Sequence, residues 1–131
     1  MSQHIRALLL LSLTAVGPIA AQDHKATLAR PEKDVFQDAR DGLSQMGYTL
    51  DKVDSATFAL VGSRALEMDP VTGTTIGEID IQLTAGTADS TVIEIHSTTW
   101  RQLIQQHARH KAEKPSAQLD LDATRLLAAL R

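Results

Sequence analysis

The chain has 131 residues, no cysteine, only four aromatic side chains (Phe36, Tyr48, Phe58 and Trp100) and a formal net charge of −3. That length supports one small domain with a single core, and mild acidity argues against general nucleic-acid binding, which runs on a basic surface. The missing cysteines exclude a disulfide framework and thiolate chemistry, and so few rings do not build a stacked platform for sugars or bases.

Residues 1–21 read as a cleavable export signal. Positive charge sits at Arg6 and the amino terminus, residues 7–16 (ALLLLSLTAV) are an unbroken apolar and small run, and Gly17-Pro18 breaks it. Residues 19–21 (IAA) then present the pattern that signal peptidase reads, which places the cut between Ala21 and Gln22. A membrane anchor or a first core helix is the alternative. The apolar run, however, is about half the roughly 20 residues a spanning helix needs. Arg6 is the only Lys, Arg, Asp or Glu among the removed residues, so the mature chain is one unit more acidic. No second stretch is long and apolar enough to span a membrane, and no cysteine is available for a lipid anchor. The expected location is periplasmic or secreted, in a bacterial cell.

Residues 22–30 are polar and unpatterned and read as a flexible leader, leaving residues 31–131 as a single domain. Pro31 opens a helix, with Glu32 and Asp34 in the first turn, where acids suit the helix dipole. Val35, Phe36, Ala39, Leu43 and Met46 form one apolar stripe, and Gly47 ends it. Strands are expected over residues 48–53 and 57–66, with Gly62 marking a bulge or a close backbone approach. Residues 69–73 (DPVTG) are turn chemistry, and residues 78–85 (EIDIQLTA) alternate cleanly. A turn over 86–90 leads to a strand over 91–98. Residues 100–114 fit a short helix or a loop. Leu119, Ala123, Leu126, Leu127 and Leu130 then make the stripe of a terminal helix, with Asp120 and Asp122 near its start. The expected fold is an α+β two-layer sandwich of order α-β-β-β(-β)-α, an antiparallel meander with both helices on one face.

Two surfaces are candidates for contact. If residues 86–90 turn the last hairpin, Asp80 lies near His96 and Gln82 near Glu94 on its solvated side, with Glu78 one row along. An Asp–His pair orients and activates an imidazole, as a general base or a partial metal site requires. The same pairing is also ordinary decoration of a wet sheet face. The second surface is the basic stretch containing Arg101, Arg109 and Lys111, with Lys114 beside it, suited to an anionic partner such as a lipid headgroup, a wall polymer or an acidic protein. His107 and His110 lie three apart within it, but no further ligand cluster accompanies them and no metal is assigned. Ser63 lacks the second glycine of a nucleophile elbow, residues 69–73 are too poor in acids for a calcium loop, and residues 73–77 (GTTIG) lack the lysine of a phosphate loop.

The helix ending in Gly47-Tyr48, the strand after it, the acid-bearing turn at Asp54, the meander and the closing helix together resemble the small helix–sheet–helix domains of bacterial envelope proteins. One bearer is the lipoprotein C subunit of the outer-membrane β-barrel assembly machinery. The resemblance spans about residues 31–130 and implies an envelope role. It does not carry over membrane attachment, because that protein is held through a lipidated cysteine and this chain has none. The expected function is that of an exported, non-catalytic domain, without cofactor, that binds a protein or envelope component. The alternative is a small hydrolase or metal-binding enzyme centred on Asp80 and His96. A carrier with an internal cavity is a third option, disfavoured because the Leu and Ile stripes fill the space between the layers.

Overall fold

Strict alternation of branched aliphatic residues in the middle of the chain sets the architecture. Ile79, Ile81, Leu83, Ile93 and Ile95 all point to one side of a hairpin and are all buried. A computed structural model describes residues 21–104 and 108–131. The segment read as an export signal, apart from Ala21, and His107 thus lie outside the described residues. In chain order the elements are β1 (Ala21–Leu28), α1 (Glu32–Gln45), β2 (Thr49–Asp54), β3 (Ala59–Asp69), β4 (Gly73–Ala85), β5 (Thr91–Gln102), β6 (His110–Lys111) and α2 (Ala117–Leu130). The fold is α+β: one antiparallel sheet and two helices.

The sheet runs β1-β5-β4-β3-β2, with the two-residue β6 pairing β5 just beyond the end of β1. Strands β2 to β5 are the expected meander. Both helices press their apolar stripes onto the same sheet face. Val35, Phe36, Ala39 and Leu43 of α1 and Leu119, Ala123, Leu126, Leu127 and Leu130 of α2 join Leu60, Ile79, Ile81, Leu83, Ile93 and Ile95 in one core. Gly47 at φ +88° lets the chain leave α1 in the left-handed region. Ser116 caps α2 by accepting a bond from the Leu119 N–H.

Three expectations are corrected. The leader read over residues 22–30 is largely strand β1, paired with β5 from Ala21 opposite Thr98 to Leu28 opposite Thr91. Its polar composition follows from its place at the sheet edge: its inner side carries His24 and Ala26 near the rim of the core, and only Leu28 is fully buried. The domain therefore begins before residue 31. The strands of the meander are also longer than their alternation suggested, with β3 reaching Asp69 and β5 reaching Gln102. Finally, residues 100–102 belong to β5 and residues 110–111 form β6, so the stretch over 100–114 is not a helix where it is described. Gly62 marks a close approach, as a Cβ there would lie 3.4 Å from the Leu43 side chain. The bulges fall elsewhere, between Leu50 and Lys52 in β2 and between Ala65 and Glu67 in β3.

Candidate functional site

The solvated sheet face has the register read from the hairpin. Asp80 stands opposite His96 and Gln82 opposite Glu94, with Glu78 opposite Thr98. What the hairpin pattern alone did not reveal is a third strand in the same rows. Asp23 of β1 also faces His96, and Lys25 faces Glu94. The His96 Nδ1 is bonded to Asp23 Oδ1 at 2.7 Å. Asp80 acts on the ring through charge. The hydrogen bond to Asp23, and then the charges of Asp23, Asp80 and Glu94, hold the His96 pKa above its ordinary value, opposed in part by desolvation. Lys25 and Glu94 approach to 3.8 Å. Gln82 is spent on structure, donating to the Thr57 carbonyl at 2.7 Å.

This row orients an imidazole through a carboxylate, but on an open sheet surface, and the carboxylate is Asp23 rather than Asp80. Among the described residues, no group of three or more His, Asp or Glu side chains is arranged to hold a metal ion.

The basic residues divide. Arg101 projects from the helix-facing side of β5, where that strand runs past the helices, while Arg109 is exposed and stands apart from it. Arg101 Nη1 donates to Thr75 Oγ1 at 2.6 Å and its Nη2 to the Thr72 carbonyl at 3.1 Å. Both acceptors are neutral, so they fix the guanidinium without cancelling its charge. Among the described residues no carboxylate lies within ion-pair distance of it, although Asp69 feels its charge more remotely. In front of Arg101 opens a groove of about 700 Å3 with Thr75 and Thr99 in its lining. Lys114 brings a further cation, set against Glu67 and Glu113. Strand β6 places His110 opposite Arg101, whereas Lys111 stands opposite Trp100 and so faces the other side of the sheet, although it borders the groove. In sequence, Arg101 and Lys111 read as parts of one basic segment. Tertiary folding leaves Arg101 in the groove with Lys114 and turns Lys111 to the opposite face of the sheet.

A second polar group is buried. Asp122 is 3% exposed and accepts from the Tyr48 hydroxyl at 2.6 Å, Arg64 Nη2 at 2.8 Å and Gln118 Nε2 at 2.9 Å. Arg64 also lies over the Tyr48 ring at 5.2 Å. Desolvation, followed by the Asp122 contact, pushes the Tyr48 pKa well above its usual range. These side chains join the approach to β2, the middle of β3 and α2 in one network beside a cleft of about 350 Å3, with the buried Arg64 Nε left without a hydrogen-bond partner among the described residues, and the network suits a structural clasp.

No family model and no curated protein matches this chain. Among solved structures, one with a TM-score above 0.5 shares its fold. This chain is similar to Ara h 8.0201 at 10% identity, over 84% of this chain and 93% of that one, with a TM-score of 0.54. It also aligns with a DUF4468 family protein from Bacteroides ovatus at 9% identity and a TM-score of 0.43, over 71% of this chain. This chain spans about 60% of that protein's length. A TBP-like protein from Parabacteroides distasonis aligns at 13% identity, over 84% of this chain and 82% of that one, with a TM-score of 0.41. At such identities the likeness concerns the fold alone.

Proposed function

We propose that the chain is an exported, non-catalytic domain that binds an anionic component of the cell envelope in the groove beside Arg101. The observation that carries this reading is the state of Arg101: fixed by two neutral acceptors, within a concavity that Lys114 also lines. A pre-positioned guanidinium with unspent donors suits phosphate or carboxylate oxygens, and ordering it costs little on binding. The export half of the proposal rests on the pattern of residues 1–21. The hydrolase alternative draws on the oriented ring of His96, yet that ring stands on the open face of an interior strand, and among the described residues no assembled nucleophile lies beside it.

Titration of the purified protein with short-chain polyphosphate, a soluble probe, tests the groove. Arg101→Gln is expected to weaken binding about ten-fold, the loss typical of a charge-assisted hydrogen bond. His96→Ala is expected to leave it unchanged. Equal affinity in wild type and Arg101→Gln overturns the groove assignment. For export, mass spectrometry of the protein recovered from the envelope fraction should give Gln22 as the first residue, and a chain retaining Met1 there refutes the signal.

A further inference from the structure

The end of the sheet that carries the groove also carries exposed apolar side chains. The β3–β4 hairpin ends in residues 69–73, where Val71 is 82% exposed and Met68, just before the turn, is 76% exposed. The end of β5 lies beside it, because Asp69 pairs with Gly73 and Thr74 with Gln102. Leu103 and Ile104 are exposed there too, at 40% and 46%. Among the described residues six large apolar side chains are exposed, and these four belong to this one end. Met68, Pro70, Leu103 and Ile104 line a shared depression that adjoins the basic groove at Leu103. The hairpin is braced rather than loose. Asp69 Oδ1 accepts from the Val71 and Thr72 N–H groups at 2.8 and 3.2 Å, and Arg101 ties down the Thr72 carbonyl at 3.1 Å.

We propose that this end of the molecule docks on an anionic lipid bilayer, with Met68, Val71, Leu103 and Ile104 entering the interfacial layer and Arg101, Lys111 and Lys114 meeting headgroup phosphates. The inference rests on the groove reading above and names its partner. Scattered exposed apolar residues are ordinary, but a cluster rimmed by cations is the arrangement an anionic membrane surface selects. Apolar side chains gain by leaving water at the acyl boundary, and each nearby cation gains from the negative surface potential. A soluble anion would satisfy Arg101 and Lys114 but would leave Val71 and Met68 in water. A bilayer satisfies both. The acids at this end do not oppose contact equally: Asp69 is occupied within its turn, whereas Glu67 and Glu113 sit in the groove wall and limit the net charge.

Cosedimentation with vesicles of phosphatidylcholine, and of phosphatidylcholine with about a third phosphatidylglycerol, tests the proposal. Wild type is expected to partition onto the anionic vesicles and to leave them at roughly 0.5 M salt. Met68→Ser with Val71→Ser should lower that partition about ten-fold while leaving polyphosphate binding intact. Both positions are exposed, so folding is not at stake. Arg101→Gln should weaken both readouts. As a direct measure, Val71→Trp should add an emission component that shifts to the blue on anionic vesicles and is quenched by brominated acyl chains. Wild-type partition that ignores lipid charge overturns the bilayer inference, as does a Met68/Val71 variant that partitions like wild type. If polyphosphate binding survives those failures, the groove reading stands and only the lipid partner falls.

Discussion

Asp122 shows how far a single residue can depart from its local setting. In sequence it is an acid in the opening turns of a helix, where acids are common because they suit the dipole. In the fold it is buried under Tyr48, Arg64 and Gln118, and no local pattern announces that, because Tyr48 and Arg64 lie 74 and 58 residues away. Removing one partner of such a group leaves the others desolvated and unpaired. Asp122→Ala is therefore expected to cost about 3 kcal/mol, and Tyr48→Phe about 1 kcal/mol, read from denaturant midpoints. Tyr48 is the only tyrosine. Its folded pKa is raised, so its contribution is complete below about pH 10, the unfolded value, and is lost as the pH climbs beyond that. Absorbance near 295 nm should show no phenolate in the folded protein at a pH where the urea-unfolded chain has ionised. A normal titration of the folded protein would contradict the network.

Among the elements, β1 is held in part through the titratable His96 of β5. Consecutive residues pin it on opposite faces of the sheet: His24 to Asp120 of α2 at 2.9 Å on the inner side, and Asp23 to His96 of β5 at 2.7 Å on the outer. The Lys25–Glu94 pair adds a further attraction between β1 and β5. His96 has a raised folded pKa, so its share of the stability is fully present below the unfolded histidine value, about 6.5, and fades as the pH rises through the folded one. Both His96 and Asp23 are largely exposed, which limits the pair to a few tenths of a kcal/mol, or about a two-fold change in β1 opening. Hydrogen exchange over residues 21–28, corrected for intrinsic rates, should show that extra protection at pH 5.5 relative to pH 8, and His96→Gln should remove it. An unchanged pH profile in that variant would dismiss the role of the pair. The β3–β4 turn is fixed differently. Gly73 has φ +113°, and a Cβ there would stand 2.3 Å from the Gln102 carbonyl oxygen. Gly73→Ala should cost about 2–3 kcal/mol and move the hairpin off the end of β5, visible in the amide spectra of residues 69–74 and 101–103.

For the whole molecule, the decisive pairing is β1 with β5, which joins residues about seventy apart in the chain and makes the first strand part of the domain. Deleting residues 22–30 would be harmless to a domain preceded by a flexible leader. Here it uncovers the edge of β5 and takes Leu28 from the core, so thermal unfolding should lose its cooperative transition. Limited proteolysis checks the same point without a deletion: residues 22–28 should resist cleavage as β3 does. The helices and the meander were legible because their signals are periodic and local: Val35, Phe36, Ala39 and Leu43 recur at helical spacing, and Ile79, Ile81, Leu83, Ile93 and Ile95 at every second position of their strands. The Asp80–His96 register followed from that alternation and one turn. Edge strand β1 gave no such signal, since a strand buried along little of its length needs few apolar residues. The groove gave none either, because Arg101, Thr75 and Lys114 become neighbours only when β5 overruns the helices and the chain returns through β6. The amino-acid sequence by itself thus determined the fold class, the core stripes and the register of the last hairpin, all consequences of short-range periodicity. The tertiary structure decided which polar residues are buried, which strand closes the sheet and where the cations converge, because those depend on long-range pairing that leaves no periodic trace in the chain.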